Sequence, residues 1–62
     1  MMEIIPGKYS YTYILRDGDK QARYEITYKD YFILGSMCDV DQYIKTLLRR
    51  EINKLKKYEC RN

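Results

Sequence analysis

Side chains that commonly perform catalysis are few in this chain. Histidine is absent, and the sequence contains no HExxH, GxSxG or P-loop motif. Cys38 precedes a predicted helix, where a thiol can become reactive, but the carboxylates of Asp39 and Asp41 oppose that effect, so we expect a small buried apolar residue there. Cys38 and Cys60 are also too few ligands for a structural zinc site. We therefore expect a protein that is not an enzyme and holds no metal or cofactor.

Aromatic side chains are plentiful, since the chain contains 8 tyrosines. Residues at every second position share one side of a strand, and the side predicted by this alternation comprises Tyr9, Tyr11, Tyr13, Leu15, Tyr24, Ile26 and Tyr28. Such a stripe usually forms the core against an apolar helix, with the hydroxyls at the rim. A tyrosine-lined pocket for a planar ligand such as a nucleotide is the alternative.

Positive charge is concentrated in the C-terminal part of the chain. The 12 lysines and arginines exceed the 9 aspartates and glutamates, which gives a formal net charge of +3, and the excess falls entirely after Cys38. A basic helix beside aromatic strands can bind nucleic acid through phosphate contacts and base stacking, and the candidate cations are Lys45, Arg49, Arg50, Lys56 and Lys57. The other interpretation is a solvated helix face, because these cations spread around the outer side of the helix.

Three strands are predicted, over about residues 8–16, 20–29 and 31–37. Asp17-Gly18 predicts a two-residue hairpin turn between the first two strands, because glycine supplies the positive φ that such a turn requires. That turn places Arg16 opposite Asp19, whereas a four-residue loop would shift the pairs and keep the same faces. The third segment, YFILGSM, is apolar on both faces, which is typical of a strand covered on both sides.

A long amphipathic helix is predicted over about residues 40–58. Asp39 is a suitable N-cap, with Gln42 three residues later as its capping-box partner. Apolar residues then recur at intervals of three and four: Val40, Tyr43, Ile44, Leu47, Leu48, Ile52, Leu55 and Tyr58. The sequence thus predicts a single domain, 1–62, of the α+β class, in which a three-stranded antiparallel meander sheet is followed by one long C-terminal helix.

One helix covers one face of a three-stranded sheet, which would leave Ile14, Phe32 and Leu34 on the open face. A domain this small buries only about 60% of the surface of its unfolded chain, so we expect a second copy to cover that face in a homodimer. Glu51 interrupts the apolar stripe of the helix, where an unpaired carboxylate is costly to bury. Either it reaches a tyrosine hydroxyl or an arginine, or lies at the exposed end of the core, or it lies at a contact with a subunit or a target.

Two stretches of the chain resemble a known family. The hairpin YSYTYILRDGDKQARYE, and more loosely KDYFILG followed by DQYIK, are similar to the small phage-encoded inhibitors of uracil-DNA glycosylase. Members of that family are dimers of a three-stranded sheet with a helix, and they imitate DNA to occupy the binding groove of the enzyme. The resemblance implies that Glu25 supplies a carboxylate, and Tyr31 and Phe32 an apolar pocket, against the target.

These features together predict a small non-enzymatic phage protein that binds and inhibits a host or defence protein, with uracil-DNA glycosylase as one candidate. The predicted partner-binding residues are Glu25, Tyr31, Phe32, Leu34 and Glu51. The alternative function is a nucleic-acid or nucleotide-binding module that uses the basic helix and the tyrosines. We expect the protein in the host cytoplasm, because the N-terminal stretch MMEIIPGK lacks the apolar run of a signal peptide or a membrane span.

Overall fold

Three strands precede two helices in the computed structural model, which describes residues 2–60 and, within them, the side chains as far as Lys57. The elements are β1 (Met2–Pro6), β2 (Ser10–Asp17), β3 (Lys20–Thr27), α1 (Tyr28–Gly35) and α2 (Val40–Cys60). The strands form one antiparallel sheet in the order β1-β2-β3. The predicted α+β class, with a meander sheet ahead of a long C-terminal helix, is confirmed.

The hairpin turns on Gly18-Asp19, so that Asp17 pairs with Lys20 and Arg16 faces Gln21. This is the register of the longer predicted loop, and the predicted pairing of Arg16 with Asp19 is wrong. Gly18 has a φ of 64°, and no non-glycine residue among those described has a positive φ. A type II′ turn needs a positive φ only at its first central residue. A turn centred on Asp17-Gly18 would need a positive φ at Asp17 as well as at Gly18, which explains the shift.

The core lies between α2 and one face of the sheet. Its buried members come from β2, β3 and α2, and they are Tyr13, Leu15, Ala22, Ile26, Val40, Ile44, Leu48 and Ile52. Ile44 and Ile52 are fully buried, and they lie two turns apart on one side of α2. The Tyr13 hydroxyl donates a hydrogen bond of 2.6 Å to Oδ1 of Asp41 in the first turn of α2. Burial, and then this bond, raise the pKa of Tyr13.

The tyrosine stripe is therefore core only in part. Tyr13 is buried and Tyr11 packs partly buried against the same cluster, as predicted for a core stripe. Tyr9 lies before β2 and is 72% exposed, and Tyr28 is the first residue of α1. Tyr24 lies on the face of β3 that is turned towards α2, but 37% of its surface is exposed. The tyrosines at the centre of the stripe are thus buried or partly buried, and those at its ends are exposed.

The predicted third strand, 31–37, is wrong, because this segment belongs to α1 and the turn that follows it. Thr27 caps α1 by accepting a hydrogen bond from the Asp30 amide at 3.2 Å. Tyr31 and Leu34, three residues apart, pack partly buried against the core, which suits a helix. A short run that is apolar on every side does not distinguish a buried strand from a helix by periodicity, and here the capping residue and the i, i+3 spacing favour the helix.

The missing third strand is instead supplied by β1, to which the sequence interpretation assigned no element. Ile4 pairs with Tyr13 and Glu3 pairs with Ile14. Two consecutive β-branched isoleucines suit a strand, but a stretch of five residues that ends in proline gives little periodicity to detect. The sheet is therefore completed from the N-terminal side of the hairpin.

The open face of the sheet is more polar than predicted. Phe32 and Leu34 do not lie on it, because both belong to α1. Ile14 does, yet it is only 7% exposed within the single chain, with Glu3 and Arg23 as its cross-strand neighbours. Long polar side chains can cover an apolar neighbour with their stems. The apolar residue of β2 that was expected to need a second copy is thus already covered, whereas Ile5 of β1 lies on the same face and is 43% exposed.

The helix prediction is confirmed in extent and in its capping residue. α2 begins at Val40, and the Gln42 amide donates to Oδ1 of Asp39 at 3.3 Å. Its buried stripe ends at Ile52, and the described side chains that follow are exposed. The side chain of Tyr58, also predicted in the stripe, lies outside the described residues.

Two glycines offer opposite tests of this backbone. Gly18→Ala should lower the free energy of unfolding by about 1 kcal/mol, because alanine resists the left-handed φ. Gly35→Ala should raise it by about 0.5 kcal/mol, because Gly35 lies in α1 without a positive φ and its added Cβ would meet Val40 Cγ2 at an ordinary 3.5 Å. Urea denaturation of both variants and the wild type would measure the two effects. A Gly18→Ala variant that is as stable as the wild type, or more stable, would contradict the turn geometry.

Candidate functional site

One edge of the sheet is unpaired and free of proline. β3 bonds to β2 on one side, and no strand among residues 2–60 lies on its other side. Antiparallel residues alternate between bonding towards and away from the neighbouring strand, so the two-residue turn leaves the backbone groups of Gln21, Arg23 and Glu25 directed at the free edge. The opposite edge, β1, is shorter and ends at Pro6, which lacks an N–H to offer. The β3 edge therefore offers the unpaired backbone groups with which another strand would bond.

A groove follows this edge on the helix side, and we call it the β3 groove. Its hairpin end lies between β3 and the C-terminal half of α2, and is lined by Arg23, Tyr24, Leu47, Arg50, Glu51, Lys54 and Leu55 among others. Its α1 end is lined by Tyr24, Glu25, Asp30, Ile33, Met37 and Tyr43 among others. Tyr24 thus lies at the middle, and both ends expose large apolar side chains beside charged ones.

The charges of the β3 groove are divided between its ends. On the helix side, the hairpin end carries Arg50 and Lys54 against the single carboxylate of Glu51, whereas the Arg23 side chain lies on the opposite face of the sheet, beside Ile14. The α1 end carries Asp30 and no lysine or arginine on the helix side, whereas the Glu25 carboxylate lies on the opposite face, where it accepts from Ser10. The groove is therefore basic at one end and acidic at the other.

A second surface lies on the outward side of α1. Phe32 is 81% exposed there, more than any other large apolar side chain described. Its position is fixed by the inward side of the same helix. The Tyr31 ring packs on Tyr11 at 4.9 Å between centroids, the Tyr28 ring meets the same tyrosine edge-on at 4.8 Å, and the Tyr28 hydroxyl donates to the carbonyl of Gly7. An exposed aromatic residue thus lies on a helix that two tyrosine rings connect to the central strand.

The five residues predicted to bind a partner do not share one surface. Phe32 points outwards from α1, whereas Tyr31 and Leu34 pack inwards against the core. Glu25 lies on β3 and accepts a hydrogen bond of 2.7 Å from the Ser10 hydroxyl. Glu51 is exposed and lines the hairpin end of the β3 groove. The predicted set therefore separates into an α1 surface, a groove and a part of the core.

The predicted nucleic-acid residues also separate. Arg49 Nη1 lies 3.1 Å and Lys56 Nζ 2.5 Å from the same carboxylate oxygen of Asp17. The Lys56 hydrogen bond, and then its charge, hold the pKa of Asp17 below its ordinary range, with a smaller contribution from Arg49. The remaining three are exposed, with Arg50 lining the β3 groove. Two of the five cations thus tie α2 to the hairpin.

Sequence reasoning missed the β3 edge as a site. The residues that direct their backbone groups to it, Gln21, Arg23 and Glu25, carry no motif, and the wrongly placed third strand would have covered the edge. The signal that was available is the alternation of Arg23 and Glu25 on one face of β3. Cys38, expected to be buried, is exposed, because it lies in the turn between the helices.

Comparison with known proteins adds no relative. No protein-family model, curated protein or solved structure matches the chain. Within the described part of the chain, neither helix combines the length and the apolar character needed to cross a bilayer. The same residues contain no cluster of three metal-ligating side chains. The candidate functional surfaces of the described residues are therefore the α1 surface and the β3 groove.

The contact between Asp17 and α2 predicts a dependence of stability on pH. A carboxylate whose pKa is lowered by folding stabilises the fold at neutral pH, and this contribution is lost as the pH falls through the lowered pKa. Asp17→Asn should therefore reduce the loss of stability between neutral pH and acid relative to the wild type. Thermal unfolding measured across this range would show it. Asp19→Asn is the control, since Asp19 is exposed in the same turn, and an equal effect of both variants would contradict the assignment.

Proposed function

We propose that this chain is a non-enzymatic protein that binds and inhibits a host or defence protein, and that uracil-DNA glycosylase is the first target to test. The observation that carries the proposal is Phe32, an aromatic side chain 81% exposed on α1. Aromatic residues that enter a pocket of the partner supply much of the energy of protein interfaces. The proposal is that of a phage inhibitor, in line with the family that the sequence resembles.

The support beneath Phe32 favours binding without rearrangement. Tyr28 and Tyr31 both pack on Tyr11, a residue of the central strand. A group already held in its bound position loses little conformational entropy on association. Phe32 therefore has the exposure and the supporting contacts of an anchor residue, one that enters a pocket of the partner.

Charge decides which part of the surface suits a glycosylase. The DNA groove of such an enzyme is positive, and like charges across an interface are unfavourable. Asp30 lies in the first turn of α1, near Phe32 in sequence and on the same helix. Arg49 and Lys56 lie at the hairpin end of α2 and share the carboxylate of Asp17. α1 also carries Lys29, three residues before Phe32 and on the same side, so the one cation and the one carboxylate of α1 balance. The contact is accordingly centred on α1, away from the basic part of α2.

The rival function, nucleic-acid binding, draws less support from the same geometry. A stacking platform needs exposed aromatic faces beside free cations. Tyr13 is buried beneath α2, Tyr11 is covered by two other tyrosine rings, and Arg49 and Lys56 are engaged with Asp17. Nucleic-acid binding is therefore one of the outcomes that the experiments below distinguish.

The active form in this proposal is a homodimer. The supporting argument is the small size of the domain, since short chains commonly gain stability by association. The open face cannot supply the interface as first expected, because Ile14 is already buried and Phe32 and Leu34 lie on α1. The three residues first expected at the interface therefore do not form it together.

The test is a uracil-excision assay with purified glycosylase and a uracil-containing oligonucleotide. The wild-type chain in molar excess should suppress excision, and Phe32→Ala should weaken the inhibition by about 30-fold, because truncating an anchor residue costs about 2 kcal/mol. Ile5→Ala is the matched control: Ile5 is also an exposed apolar residue, but it lies on β1, outside α1.

Three results would contradict parts of the proposal. Unchanged excision removes the glycosylase as the target, and equal inhibition by wild type and Phe32→Ala removes the α1 surface. If a pull-down from bacterial lysate loses every partner after nuclease treatment, the chain binds nucleic acid instead.

A further inference from the structure

We propose that a second copy of this chain docks on the β3 groove, with the two β3 strands pairing edge to edge into a six-stranded antiparallel sheet. The inference rests on the homodimer of the proposed function and names its interface. It assigns roles to Arg23, Tyr24 and Glu25 as the central contacts.

The backbone of β3 makes this pairing available. An edge strand offers a row of unpaired N–H and C=O groups to another strand. β3 is eight residues long, contains no proline, and directs the groups of Arg23 and Glu25 to the free edge. β1 is five residues long and ends at Pro6. The sheet thus has one edge open to extension and one that resists it.

The charges of β3 select one register. When two β3 strands run antiparallel about a two-fold axis at Tyr24, Arg23 of each copy lies opposite Glu25 of the other. Opposite charges directly across two strands are stabilising, and like charges are destabilising. Centring the axis on Arg23 instead would place Arg23 against its own copy, and centring it on Glu25 would do the same to that carboxylate. The Tyr24 register alone among these three pairs opposite charges.

The β3 groove fits the same axis. On the helix side, a two-fold axis at Tyr24 brings the acidic end of each groove, with Asp30, towards the basic end of the other, with Arg50 and Lys54. Tyr24, 37% exposed in the single chain, meets its copy at the axis on the helix side of the sheet. The groove is therefore complementary to itself in charge, which is the property that an interface between identical copies requires.

This arrangement also leaves no β3 edge free for a third copy. A two-fold contact uses the same patch on both copies, so the two β3 edges are consumed and the outer edges of the larger sheet are both β1. Phe32 does not line the groove, so each copy keeps its α1 surface available. Self-association and target binding thus use separate surfaces.

Charge reversal provides the test, with sedimentation equilibrium as the measurement. Arg23→Glu and Glu25→Arg should each raise the dissociation constant of the homodimer by about tenfold or more, because each creates two like-charge pairs. Mixing the two variants should restore dimerisation between unlike partners, in which every pair is again opposite in sign. The doubly reversed chain, R23E/E25R, should dimerise like the wild type. Lys45→Glu is the control, because Lys45 is exposed and does not line the groove.

A measurement on the wild type avoids any dependence on how the variants fold. Hydrogen exchange at the Arg23 and Glu25 amides should slow as the chain concentration rises, because these amides become bonded only in the dimer. A wild type that stays monomeric at every concentration removes the homodimer itself. A dimer with concentration-independent exchange at these amides, and no recovery on mixing the variants, overturns the β3 interface and leaves the homodimer standing. Neither result depends on the Phe32 assay.

Discussion

The rest of the structure depends on the contact that buries Tyr13 and Leu15 of β2 beneath Ile44 and Ile52 of α2. A three-stranded sheet with one apolar face is not stable alone, and neither is an isolated amphipathic helix. Each supplies the cover that the other lacks. Two polar contacts then fix how α2 lies across the hairpin: Tyr13 with Asp41 near its start, and Asp17 with Arg49 and Lys56 further along.

Because α2 occupies one face of the sheet, the proposed interaction surfaces lie elsewhere. α1 packs at the end of β3 and turns Phe32 outwards, while α2 leaves the β3 edge uncovered beside it. A single layer of core thus leaves the Phe32 ring and the edge of β3 accessible on a very small protein. The division of charge along the β3 groove follows from the same arrangement, since α1 brings Asp30 to one end and α2 brings Arg50 to the other.

The sequence predicted the elements that have long and consistent patterns. α2 repeats its apolar residues over several turns, and the hairpin combines strict alternation with a glycine at the turn. The segment after Thr27 was assigned wrongly because its apolar residues suit two periods equally, and only the side-chain cap and the packing of Tyr31 and Leu34 decide between them. β1 was missed because a short strand is specified by its partner more than by its own residues.

The error in the third strand also affected the candidate site. A strand placed at 31–37 would have paired with β3, so its free edge could not be recognised, and Phe32 was assigned to the sheet. The separation of Phe32 from Tyr31 and Leu34 follows from helical geometry, in which neighbouring residues point in different directions. The resemblance to the inhibitor family pointed to Phe32 and Glu25 as candidates, but the surface on which each lies depends on the three-dimensional arrangement.

α2 extends past its last buried residue, and this has a consequence for how the molecule opens. After Ile52 the described side chains of the helix are exposed, and the ion pair of Lys56 with Asp17 joins that part to the hairpin. Segments with few buried contacts open independently of the global transition, and exposed ion pairs weaken as salt screens them. The turns after Ile52 therefore form a separate unit of local unfolding, whose opening responds to ionic strength, while the turns from Val40 to Ile52 open only with the whole core.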